Sequence, residues 1–237
     1  MSARTGLVVA IDGPSGSGKS STSRAVATRL GLRYLDTGAM YRAMTWWMLR
    51  HGVSVDDPGA VAERCGEPVL VSGTDPAYPT ITVDGLDVAA AIRTPEVNDA
   101  VSPVSAVPQV RARLLGLQRA VIADAVDGSG IVVEGRDIGS VVAPDADVKV
   151  YLTADAAARA ARRAAEEGGA DLAATETSLL ARDRIDSTRA ASPLTMAAGA
   201  VHIDSTPYTL EEVVDLIVAL VDHAGSATSA SSAKDLS

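Results

Sequence analysis

Short apolar runs recur along the chain, separated by longer stretches in which apolar residues return every three to four positions. Leu7–Ile11, Leu32–Leu35, Ile131–Val133, Val148–Leu152 and Val201–Ile203 read as strands buried in a sheet. Between them the longer period predicts helices over roughly Lys19–Leu30, stopping at Gly31, and from Asp36-Thr37-Gly38 to Gly52. Further helices are predicted around Asp155–Glu167, Glu176–Arg189 and Leu210–Val221. The rhythm breaks once. Val69-Leu70-Val71 and Thr80-Ile81-Thr82-Val83 read as short antiparallel strands with Asp84-Gly85 as a hairpin signal. Thr94-Pro95 then fits a helix start, followed by helical segments near Glu96–Val101 and Gln109–Asp124. Strands joined by helices imply an α/β fold with a doubly wound parallel sheet, whose ligands bind at the carboxyl ends of the strands. The organisation is a core of residues 1–66 and 125–223, an insertion of 67–124, and a small, polar, repetitive segment over 224–237 read as a disordered tail.

The first strand runs straight into Gly13-Pro14-Ser15-Gly16-Ser17-Gly18-Lys19-Ser20, which fits G-x-x-x-x-G-K-[ST] between a buried strand and a helix start. Residue frequencies in this chain give roughly 0.003 chance matches to that pattern, so coincidence explains it poorly. Glycines let the backbone curl its N–H groups around phosphate oxygens, and the helix start adds its positive dipole end. Lys19 can reach the β- and γ-phosphates, and the Ser20 hydroxyl can ligate Mg²⁺. This is a nucleoside triphosphate site.

Composition narrows the class. The 237 residues carry a formal net charge of −9 and no long basic run, which argues against a nucleic-acid partner. A single cysteine, Cys65, excludes an internal disulfide and fits a reducing, cytoplasmic setting. No run of 18 apolar residues suggests a membrane span. With no Phe and 3% aromatics, aliphatic side chains must pack the core. Of the 21 basic residues only Lys19, Lys149 and Lys234 are lysines, so Lys19 stands out and any single arginine does not.

The reaction is not named by a phosphate loop alone. Guanine-specific switches need an Asn-Lys-x-Asp reader, and the only asparagine is Asn98, followed by Asp99. Arginines and carboxylates instead cluster where a second phosphorylated substrate would sit, since guanidinium forks match phosphate. Arg42 lies one turn into the helix opened by Asp36-Thr37-Gly38; Glu134-Gly135-Arg136-Asp137 ends a strand. Arg182, Asp186 and Arg189 share a helical face, as do Arg159, Arg162 and Arg163. Taken singly, each group also reads as a cap or a surface ion pair.

Together GPSGSGKS, LDTGAMYRA, AAIRTPEVNDAVSPVSAVPQVR, VVEGRDIGSVV and RDRIDSTRAASPL resemble the bacterial cytidylate (CMP) kinase family, in the same order and at similar spacings over about residues 6–222. The resemblance implies a P-loop NTPase-type fold, with the insertion binding the nucleoside monophosphate and a short helical lid at about 155–189. It implies ATP-dependent phosphorylation of CMP or dCMP with Mg²⁺, by a monomer acting on small-molecule substrates. It places ATP on Gly13, Pro14, Ser15, Gly16, Ser17, Gly18, Lys19, Ser20 and Ser21. Thr37, Tyr41, Arg42, Arg136 and Arg182 fall to the CMP phosphate, ribose and their surroundings, with Asp186 on the sugar hydroxyls and Arg189 beside it. Ser102, Arg111 and Asp137 match positions that read cytosine, while Lys19, Arg136, Arg159 and Arg163 are the implied catalytic cations. Thr37 and Glu134 stand where Ser and Asp are frequent. The alternatives are another small-molecule kinase of the UMP/CMP or shikimate type, or an ATP-dependent regulatory switch.

Overall fold

Every residue of the first strand, β1 (Val8–Asp12), is buried, and its alternating side chains feed two separate apolar layers. The computed structural model describes residues 6–166, 171–188 and 194–234, with the side chains at 166, 182, 185–188 and 227–234 outside that description. β1 lies at the centre of a parallel sheet between β6 (Ile131–Gly135) and β7 (Val148–Thr153). β2 (Arg33–Asp36) and β8 (Val201–Asp204) flank these, giving the order β2-β6-β1-β7-β8. This is the doubly wound sheet expected of the apolar runs.

Side-chain alternation sends Val8, Ala10, Ile131 and Val133 to the face covered by α2 (Thr37–Arg50) and α5 (Pro108–Val126). Leu7, Val9, Ile11, Val132 and Leu152 go to the other face, under α1 (Lys19–Leu30) and α8 (Leu210–Lys234). Each buried Val, Leu or Ile contributes about 1.5–3 kcal/mol, so a core without Phe is sufficient.

α2 leads through one further helix to the segment expected as the insertion. A short helix, α3 (Pro58–Arg64), was not legible in the pattern: it buries only Val61 and is set by Asp57, whose carboxylate accepts from Gly59 and Ala60 N–H with Pro58 at the first helical position. The hairpin signal holds, as β3 (Leu70–Ser72), β4 (Ile81–Val83) and β5 (Leu86–Asp87) form an antiparallel sheet turning at Asp84, whose φ is 52°. Thr94 caps α4 (Pro95–Ala106), which continues through Pro103. Val61, Leu70, Ile81, Val83, Ile92 and Val104 join Met44, Trp47 and Met48 of α2 in a single apolar cluster. The β3–β4 loop is also tied to the free edge of the main sheet. Tyr34 N–H donates to the Thr74 carbonyl at 2.9 Å, Arg33 Nε to Thr74 Oγ1 at 2.9 Å, and Arg24 Nε to the Pro76 carbonyl at 2.9 Å.

After β6 a π-helical turn at Ile138–Val142 leads to β7, and α6 (Ala156–Glu166) and α7 (Leu172–Thr188) follow. The chain from Ala224 differs from the expected disordered tail, since α8 continues to Lys234. After Gly225 that stretch contains neither Gly nor Pro, and alanine recurs through it, so nothing in its composition stops a helix already running. No helix among the described residues is long and apolar enough to cross a membrane.

Candidate active site

The phosphate loop spans the carboxyl end of β1 and the start of α1, and the surrounding cations hold its carbonyl groups. Arg136 Nη1 donates to the Gly13 carbonyl at 2.9 Å, Lys19 Nζ to that of Pro14 at 2.6 Å, and Arg159 Nη1 to that of Ser15 at 3.0 Å. The Ser17 carbonyl accepts from Ser205 Oγ at 3.3 Å, and the Arg162 guanidinium bridges to both Oγ and O of Ser205 at 3.0 Å. Gly13 is required by contact, because a Cβ there would run into the Leu152 carbonyl. Gly18 is required by conformation: at φ 86° it precedes α1 without a side-chain cap, which leaves the first turn's N–H groups to an anion.

Gly16, Gly18, Lys19, Ser20 and Ser21 line one end of a cleft of about 480 Å³. Thr37, Tyr41, Arg42, Arg136 and Asp137 line it beyond the loop, together with Ser102 and Arg111 from the insertion. These expected ATP and CMP residues therefore share one continuous space.

Beyond the loop, Asp36 does two jobs. Its Oδ1 accepts from Ala39 N–H at 2.8 Å and caps α2, while Oδ2 accepts from Arg42 at 3.3 Å with Arg93 at 3.9 Å. Burial pushes the Arg42 guanidinium below its ordinary value, with Asp36 opposing that shift and Arg93 and Arg136 adding to it. Arg42 Nε is buried with no hydrogen-bond partner among the described residues, a donor suited to a phosphate oxygen. Thr37 Oγ1 donates to the Glu134 carbonyl at 2.7 Å, so this hydroxyl also fixes the strand end.

At the far end the Arg111 guanidinium pairs with the Asp137 carboxylate, and its carbon lies 5.7 Å from the centre of the Tyr41 ring. Ser102 and Ser105 stand beside them on α4, with Ser105 Oγ donating to the Ser102 carbonyl at 3.0 Å. Donor-only and acceptor-only groups thus face the same space as small hydroxyls, a pattern suited to a heterocyclic base edge.

Two buried acids stand at the strand ends, Glu134 on the cleft wall and Asp12 behind it. Asp12 Oδ1 and Oδ2 accept from Ile138 and Gly139 N–H, each at 2.8 Å; burial nevertheless raises its pKa to about 6. The Glu134 carboxyl accepts from the Tyr34 hydroxyl, and burial raises its pKa, with the Asp36 charge adding to the shift. Lys19 and hydrogen bonds from Tyr34 and Ser20 favour its charged form.

The lid residues divide. Arg163 lines the cleft. Arg159 does not: it is 7% exposed and paired with Asp183 against the loop's outer side. Arg182 and Asp186 lie on α7, their side chains outside the described set, and Arg189 lies outside the described residues. Pro14 and Ser17 belong to the loop backbone rather than the cleft wall, and Ser17 is fully buried.

The pattern did not single out Asp12, Arg24, Arg93, Asn98 or Asp183. Strand phase could have extended β1 to Asp12, and Arg24 lies on α1 one turn beyond Ser20, whereas Arg93 and Asn98 reach the cleft from the segment over 67–124.

A parallel sheet with a phosphate loop after its first strand, and arginines from several elements around one cleft, defines a P-loop phosphotransferase. More specifically, the chain belongs to the cytidylate kinase family, whose model matches residues 9–223. It is similar to the cytidylate kinase of Streptomyces coelicolor, 61% identical over 216 residues, which cover 91% of this chain and 93% of that protein. The cytidylate kinase of Streptomyces griseus subsp. griseus is 58% identical over 220 residues, 93% of this chain and 94% of its own length. That of Nocardia farcinica is 56% identical over 219 residues, covering 91% and 93%. A solved structure of an uncharacterized protein from Eubacterium ventriosum matches with a TM-score of 0.51 and 11% identity over 92% of this chain and 99% of that one, a likeness of fold alone.

Proposed function

We propose that the chain transfers the γ-phosphoryl group of ATP to CMP or dCMP, giving ADP and CDP or dCDP. The observation that carries this reading is the shared cleft. Lys19 and Ser20 of the phosphate loop open into the same space as Arg42, Arg136 and the Arg111–Asp137 pair. The acceptor is a phosphate anion and needs no strong general base, so positioning and charge neutralisation carry the rate. Lys19 and the α1 N-terminus take the triphosphate. Arg42 and Arg136 hold the monophosphate in line with it, and Arg163 faces the transferring group from the lid. Arg182, Asp186 and Arg189 complete the sugar and phosphate contacts in this reading. The insertion and lid exclude water, which would otherwise accept the phosphoryl group.

The donors near Ser20 fit Mg²⁺. A hydroxyl oxygen stands at the helix start with the Glu134 carboxyl next to it, and the described residues contain no cluster of three or more His, Cys, Asp or Glu. A hard cation held mainly by substrate phosphates and waters asks for no more than this. When bound, it neutralises charge developing on the β- and γ-oxygens.

The test is ADP release in a coupled assay with CMP, dCMP, UMP, AMP, GMP and shikimate at one ATP concentration. CMP and dCMP are expected to stimulate turnover far above the others. Turnover indifferent to CMP would overturn the reading.

A further inference from the structure

One residue of the phosphate loop is held at both its backbone N–H and its backbone carbonyl by a single ion pair. Arg159 Nη1 donates to the Ser15 carbonyl at 3.0 Å, and Ser15 N–H donates to Asp183 Oδ1 at 3.4 Å. The same Arg159 nitrogen pairs with Asp183 Oδ2, and Arg159 Nε is fixed by the Ala154 carbonyl at 3.1 Å. Arg159 comes from α6 and Asp183 from α7, while Ser15 lies 168 positions from Asp183 in the chain. Both side chains are largely withdrawn from water, at 7% and 18% exposed. α6 also lies directly on the loop, since a Cβ at Gly16 would stand 3.2 Å from the Arg159 backbone carbonyl and Cβ.

We infer that Asp183 is a positioning residue for the phosphate loop. Together with Arg159 it sets the two peptide groups flanking Ser15 and thereby the loop that receives the triphosphate, an inference that rests on the phosphotransfer reading above. Arg159 alone could hold the carbonyl, but a guanidinium cannot satisfy an N–H. The carboxylate supplies that acceptor and fixes the guanidinium's orientation through the same bridge. Neither group lines the cleft, so neither touches substrate in this arrangement; both act through Ser15. Removing one partner leaves the other's charge buried and uncompensated, so the effect appears at the loop.

The experiment compares wild type with Asp183→Asn, Asp183→Glu, Arg159→Ala and the Asp183→Asn/Arg159→Ala double variant. ATP and CMP binding are measured separately by calorimetry, alongside KM for each and thermal melting. Asp183→Asn is expected to weaken ATP by at least about tenfold and CMP by less than about twofold, with Asp183→Glu intermediate for ATP. The double variant is expected to bind ATP no worse than Arg159→Ala, the signature of two residues acting through one contact. Folded Asp183→Asn with wild-type ATP affinity, or equal losses for ATP and CMP, would overturn the inference. Should Asp183→Asn fail to fold, Asp183→Glu decides it: wild-type ATP affinity with a lowered Tm means the pair only joins two helices. Wild type that binds no ATP defeats the phosphotransfer reading instead.

Discussion

Arg111 and Asp137, 26 positions apart, meet as an ion pair on the wall of the cleft, one from the insertion and one from the end of β6. Cytosine offers an amino donor beside ring and carbonyl acceptors, which suits a carboxylate acceptor next to a guanidinium donor. Uracil would set a carbonyl against Asp137, a mismatch of about 1–3 kcal/mol. Asp137→Ala is therefore expected to cut kcat/KM for CMP while narrowing the CMP/UMP ratio, measured with both acceptors at fixed ATP. Equal proportional losses on both would assign Asp137 a structural role.

Lys19 bonds the Pro14 carbonyl at 2.6 Å, within reach of the loop it helps shape. Lys19→Ala is expected to lower kcat by at least about a hundredfold. Circular dichroism and melting check that the loss is not one of folding; near-normal turnover would contradict the assignment.

Arg42 is half-buried against Asp36 and keeps one donor without a partner among the described residues. Arg42→Ala removes a charge-assisted contact of roughly 1.5–3 kcal/mol from the acceptor side. Calorimetry should show CMP weakened far more than ATP. Equal weakening would place Arg42 in closure rather than in phosphate binding.

Asp12 supplies a pH test. Its pKa rises from an ordinary 3.8 to about 6 on folding, so between those values the folded state keeps a proton that the unfolded chain has lost. The stability from this group is complete below about pH 4 and lost as pH climbs to about 6. Melting Asp12→Asn beside wild type should show the variant gaining, relative to wild type, between pH 4.5 and 7. A difference in Tm that stays constant with pH would refute the shift.

The main sheet was legible because parallel strands covered on both faces leave unbroken apolar runs, as at Leu7–Ile11 and Ile131–Val133. The phosphate loop was legible because its chemistry demands fixed residues at fixed spacing. The two ends of the reading failed for different reasons. α3 carries too little buried surface to impose a period, and α8 runs on into alanine and serine that read equally well as tail. In the site, the family resemblance implied a phosphate-facing Arg159, but nothing in the sequence told which side of the loop α6 would cover. The Asp183 contact, the Arg93–Asp36 approach and the Tyr34–Glu134 bond join residues far apart in the chain and follow only from the packed fold.

The apolar cluster shared by α2 and the insertion bears on how the molecule comes apart. Leu70, Ile81 and Val104 pack with Met44 and Trp47, and the β3–β4 loop is bonded to the outermost strand of the sheet. The segment over 67–124 is therefore no detachable module. Excised, it would expose the surface that it buries against α2, and its host would be left with an unprotected β2 edge open to intermolecular pairing. Heating should melt both parts in one transition, and transplanting the segment onto another scaffold would require carrying α2 with it.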